Sequence, residues 1–79
     1  MELHWTDGFI IEMRTGSGSA VLRANREGLL SLAGHLAALA DAAPGSHIHL
    51  DETNSLEHGS AELVIEKIPD RVKETGEAL

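Results

Sequence analysis

Short apolar runs bounded by turn residues flank one longer stretch in which apolar residues recur every three or four positions. Gly8-Phe9-Ile10-Ile11-Glu12-Met13-Arg14 is rich in β-branched and aromatic residues and turns polar at its far end, which predicts a strand. It stops at Thr15-Gly16-Ser17-Gly18-Ser19. Ser19-Ala20-Val21-Leu22-Arg23-Ala24 resumes at hairpin distance, the glycines supplying the positive φ angles of a tight reversal. Asn25 then stands where a helix N-cap belongs, with Glu27 in the first turn against the positive end of the helix dipole. Leu29, Leu32, Ala33, Leu36, Leu39, Ala40 and Ala43 mark a broad apolar stripe that ends at Pro44-Gly45, and this stripe is expected to face the core.

Ser46-His47-Ile48-His49-Leu50-Asp51 alternates strictly, so a strand here puts Ile48 and Leu50 on one side and His47, His49 and Asp51 on the other. After a polar loop over 52–60, Ala61 to Lys67 alternates again, with Ala61, Leu63 and Ile65 inward and Glu62 and Glu66 outward, until Pro69 ends the strand. The order β-β-α-β-β predicts a small α+β domain, an antiparallel sheet with one helix packed on one face and the other face open to water or a partner. Phe9, Ile11, Met13, Ile48, Leu50, Leu63 and Ile65 are expected to meet the leucine stripe. Residues 1–69 read as this single domain and the charged stretch 70–79 as a polar C-terminal tail.

At 79 residues, 42% of them hydrophobic, the chain suits one core. The absence of cysteine removes disulfides and thiolate metal sites and fits a reducing compartment, so a cytoplasmic location is expected. The N-terminus never becomes the apolar run of a signal peptide. The stretch 29–43 is broken by Ser31, Gly34, His35 and Asp41 and falls short of the ~20 apolar residues that cross a bilayer, so no membrane partner is expected. A formal charge of -7 repels phosphate backbones, which argues against nucleic acid, and it would speed encounter with a basic protein. Solubility alone is an equally good reason for that acidity.

No catalytic set is visible. The serines lie outside any Gly-x-Ser-x-Gly setting, Gly16-Ser17-Gly18 is too short for a phosphate loop, and no cofactor is implied. His47-x-His49-x-Asp51 projects two imidazoles and a carboxylate from one side of a strand, the donor types of a zinc site. His58 and Glu62 could add outer ligands only if the loop folds back. The preferred reading is imidazoles on a solvated sheet face, and no metal is assigned. The outward residues Glu12, Arg14, His47, His49, Asp51, Glu62 and Glu66 make the first interface candidate, against the alternative that a one-sided sheet carries outward charge for solubility. Trp5 is either a lid on the core's edge or an anchor for a partner, and its position leaves both open. The second helix face, Gly28, Ser31, Gly34, His35, Ala38 and Asp41, is built from small residues that would admit a second backbone, which makes it a candidate homodimer contact; His35 there reads as a solvated or edge histidine.

The segment Ala24-Asn25-Arg26-Glu27-Gly28-Leu29-Leu30-x-Leu32-Ala33, continuing through Leu36-x-x-Leu39-Ala40 to Gly45-Ser46-His47-Ile48-His49-Leu50-Asp51, resembles the immunity protein 32 family. So does Leu56-x-x-Gly59-Ser60-x-Glu62-Leu63-Val64-Ile65. Members of that family are small α+β proteins encoded beside toxins of bacterial polymorphic toxin systems and predicted to neutralise them. The resemblance therefore implies a non-enzymatic inhibitor that works by binding, with a basic toxin domain as the partner its charge would suit. The other readings are a stand-alone domain binding metal through His47, His49 and Asp51, and a homodimeric structural module.

Overall fold

A computed structural model of the chain describes residues 1–70; the tail expected over 70–79 lies, Asp70 apart, outside the described residues. The order is β1 (Ile11–Gly16), β2 (Ser19–Ala24), α1 (Arg26–Ala40), β3 (His47–Leu50) and β4 (Leu63–Glu66), an α+β fold as the pattern predicts. Ser17 and Gly18 form the reversal between β1 and β2 with φ of 50° and 76°, the two positive values that let a two-residue loop follow the strand twist. The first strand begins at Ile11 rather than Gly8, because Gly8 takes a positive φ of 84° in the turn that precedes it.

The strands do not make the one sheet expected. β1 pairs with β2 and β3 with β4, each antiparallel, as two separate ladders. The open edge of β1 is instead met by the segment leading into β4. Glu57 N–H donates to the Ile11 carbonyl at 2.9 Å and Ala61 N–H to that of Met13 at 2.8 Å, while Ser60 Oγ accepts from Met13 N–H at 3.2 Å. Gly59, at a φ of 85°, and a side chain standing in for a backbone acceptor keep this seam from becoming a regular strand, so the sheet is interrupted where it would have been continuous. The core is Ile11, Met13, Leu32, Leu39, Ile48, Leu50 and Leu56. Leu56 comes from the stretch read as a polar loop, and its burial anchors that loop to the core.

The helix starts as predicted and then faces the other way. Asn25 Oδ1 caps Gly28 N–H at 2.8 Å and also accepts Ile10 N–H at 2.9 Å, while its Nδ2 donates to the Gly8 carbonyl at 2.9 Å. One side chain thus sets both the start of α1 and its rotation against the chain before β1. Gly28 is turned inward at a distance no other residue allows, since a Cβ there would lie 2.5 Å from the Ile10 carbonyl oxygen and 2.9 Å from Ile11 Cγ1. With Gly28 inside, helical spacing brings Ser31, Leu32, His35 and Leu39 in with it. Of the predicted core stripe, Leu32 and Leu39 are buried, but Leu29 and Leu36 stay 54% and 48% exposed, and Ala33 and Ala40 are exposed too.

The small-residue face read as a homodimer contact is therefore corrected. Gly28, Ser31 and His35 accept a backbone, but it is this chain's own. Ser31 Oγ accepts Thr6 N–H at 2.8 Å and donates to the Glu27 carbonyl at 2.9 Å. His35, only 1% exposed rather than solvated, donates from Nε2 to the His4 carbonyl at 3.0 Å. The N-terminal segment supplies partners for the Ser31 hydroxyl and for one ring nitrogen of His35, which offsets part of the cost of burying them, while His35 Nδ1 is buried without a partner among the described residues. At the other end, Lys67 Nζ donates to the Ala40 and Ala42 carbonyls at 2.6 and 2.8 Å, satisfying acceptors that the last helical turn leaves free.

Candidate functional site

The register of β3 and β4, His47 opposite Glu66 and His49 opposite Val64, puts His47, His49, Val64 and Glu66 on the ladder's outer face. Asp51 and Glu62 extend the same alternation just past the strand ends. Ile48, Leu50, Leu63 and Ile65 point the other way, into or against the core. Val64 is 51% exposed between these polar groups, an apolar spot with a charged rim.

Three of these side chains meet. His49 Nε2 lies 3.1 Å from Glu62 Oε2, to which its N–H donates, and 3.7 Å from Asp51 Oδ2. The other oxygen of Asp51, Oδ1, accepts the Thr53 hydroxyl at 2.6 Å and the Thr53 N–H at 2.8 Å. Those Thr53 bonds, first the hydroxyl and then the amide, hold the Asp51 carboxyl below the usual carboxylate range, and the neighbouring His49 adds to the effect. One nitrogen and two oxygens within 4.8 Å of one another form a donor set that a divalent cation accepts. The His49–Glu62 hydrogen bond is by itself a sufficient cause of that closeness. Of the metal candidates from the sequence, His49 and Asp51 are together and His47 is apart: four residues along an extended strand separate it from Asp51 by about 13 Å. Glu62 takes its place because the register, continued past the strand ends, sets it opposite Asp51 and diagonal to His49, within reach of a long side chain.

The outer face of the first ladder is electrostatically different. Glu12 pairs with Arg14 at 3.0 Å and with Arg23 across the strands at 3.2 Å. The Arg14 hydrogen bond, then the Arg14 and Arg23 charges, keep the Glu12 carboxyl below its ordinary range. Glu12 is thus neutralised in place. On the β3–β4 face no Lys or Arg pairs with Glu62 or Glu66 among the described residues, and Lys67 is engaged at the helix end. Trp5 is half-buried, stacked on Phe9 at 4.6 Å and edge-on to His35 at 4.2 Å, so it covers the core beside the N-terminal segment. An open groove lined by Glu12, Arg23, Asn25, Glu57 and His58 runs beside the first ladder, a feature that leaves no periodic trace in the chain.

No helix among the described residues is long and apolar enough to cross a membrane. No curated protein and no solved structure matches the chain. Residues 19–68, running from the first residue of β2 through α1 and β3 to just beyond β4, match the family described as immunity protein 32. That match takes in more than half of the chain, including Asn25, Gly28 and every residue of the β3–β4 outer face, and by it the chain belongs to the immunity protein 32 family.

Proposed function

We propose that this protein neutralises a bacterial toxin in the cytoplasm by binding it, without catalysis, and that the toxin is met on the outer face of β3–β4. Membership of the immunity protein 32 family carries the reading. The placing of the interface rests on electrostatics. Glu62, Glu66 and Asp51 share a face on which Glu62 and Glu66 have no Lys or Arg partner among the described residues, while the chain as a whole carries -7. Carboxylates without a Lys or Arg partner among the described residues, set around an exposed Val64, suit a basic partner, because complementary fields steer encounter and an apolar centre holds the complex once formed. Glu12 contributes little to such a field because Arg14 and Arg23 already neutralise it.

The test is growth rescue. Each toxin-like domain encoded beside the gene is expressed in a sensitive host with and without this chain, and the purified pair is then titrated. Survival together with a stoichiometric complex is expected. Survival that requires no complex, or complexes that leave toxicity intact, would remove the reading.

A further inference from the structure

From Gly28 to Ala40 the helix contains no Asp, Glu, Lys or Arg, and its solvent side is Leu29, Leu30, Ala33, Gly34, Leu36, Ala37 and Ala40. A surface helix normally turns charge to water, and one that is apolar on all sides is ordinarily covered. Leu29, Ala33, Leu36 and Ala40 are four, three and four residues apart, so they form one ridge along α1, with Leu30 on its rim. Leu29, Leu30 and Leu36 are 54%, 46% and 48% exposed, a cluster beyond the scattered apolar residues that a soluble surface carries.

We infer that this ridge is a self-association surface, on which α1 of one copy lies antiparallel against α1 of a second copy about a two-fold axis between Ala33 and Leu36. The pattern of sizes argues for a second copy. Laid antiparallel about that point, Leu29 faces Ala40 of the other copy and Leu36 faces its Ala33, so a large residue meets a small one all along the ridge. The ends are complementary as well. Arg26, which also lies 3.9 Å from Glu27 of its own chain, opens the helix and Asp41 caps its end, and the antiparallel arrangement brings Arg26 towards Asp41 of the other copy; a parallel one sets like charges together. The wider charge of -7 per copy is kept away from the contact, because the ridge is uncharged. The area is modest. Two ridges about 17 Å long bury an area at or below the low end of specific interfaces, less than roughly 1,000 Å² in all, which calls for a weak, reversible dimer of micromolar or lower affinity. This pairing is independent of any toxin and leaves the β3–β4 outer face uncovered.

Sedimentation velocity on the full chain between about 1 μM and 1 mM is expected to show a concentration-dependent monomer–dimer equilibrium, with Leu36→Glu monomeric throughout and its helical circular dichroism unchanged. The chain has no cysteine, so single cysteines report the geometry cleanly. Ala33→Cys, beside the axis, is expected to form a disulfide-linked dimer under mild oxidation. Ala40→Cys is not, since the two copies of residue 40 sit about 16 Å apart along the helix axis. A wild-type monomer at every concentration overturns the inference, whether the ridge is bare or its resonances show contact with residues 71–79. A dimer that survives Leu36→Glu overturns it as well, and equal cross-linking of the two cysteine variants overturns the antiparallel arrangement.

Discussion

The two faces of α1 invert what their residues suggest. The inner face carries a glycine, a serine and a histidine beside two leucines, and the outer face carries three leucines with alanines between them. Burial went to the face that could approach closest, not to the most apolar one. Gly28 lets the helix backbone reach the Ile10 carbonyl, and residues 4–6 supply hydrogen bonds to the Ser31 hydroxyl and to His35 Nε2. A satisfied polar side chain costs little inside, and close packing over the length of a helix recovers more than a few exposed leucines lose.

Substitutions along the helix can break or sharpen this contrast. The largest effect is expected at Leu39, 4% exposed: Leu39→Ala should cost about 2–5 kcal/mol in urea unfolding, through lost burial and the cavity left behind. Gly28→Ala comes next. The helix gains about 1 kcal/mol of propensity, but displacing the Ile10 carbonyl should outweigh it, for a net loss of about 2 kcal/mol. If Gly28→Ala stabilises the protein, the close approach has been misjudged. Ser31→Ala removes the acceptor of Thr6 N–H and should cost about 1 kcal/mol, with faster amide exchange at Thr6 as its signature. Leu36→Ala, the same chemical change as at Leu39 three residues away, should alter the stability of the dilute monomer by no more than about 0.5 kcal/mol. Equal losses at positions 36 and 39 would erase the distinction between the faces.

The helix N-cap, the reversal at Ser17-Gly18 and the alternation of 47–51 could be read in the sequence because each depends on residues within one turn or one strand. The rotation of α1 could not. It depends on Asn25 reaching back to residues 8 and 10 and on backbone groups near the N-terminus, none of which leaves a periodic trace. Leu56 was missed for a related reason: a single leucine in a polar stretch has no pattern to declare it, yet it is 5% exposed. On the candidate site, the outward residues of β3 and β4 followed from alternation. The meeting of Glu62 with His49 and Asp51 needed the register between the strands, which alternation leaves open.

Association kinetics with the cognate toxin test the central claim most directly. Stopped-flow mixing would compare the wild-type chain with Glu62→Lys/Glu66→Lys at low and high salt. The β3–β4 interface predicts an association rate at least about tenfold lower in the variant, with the salt dependence of the wild type largely lost and the fold unchanged. Equal rates and equal salt dependence in the two proteins would contradict it, and would place the toxin on another face of the molecule.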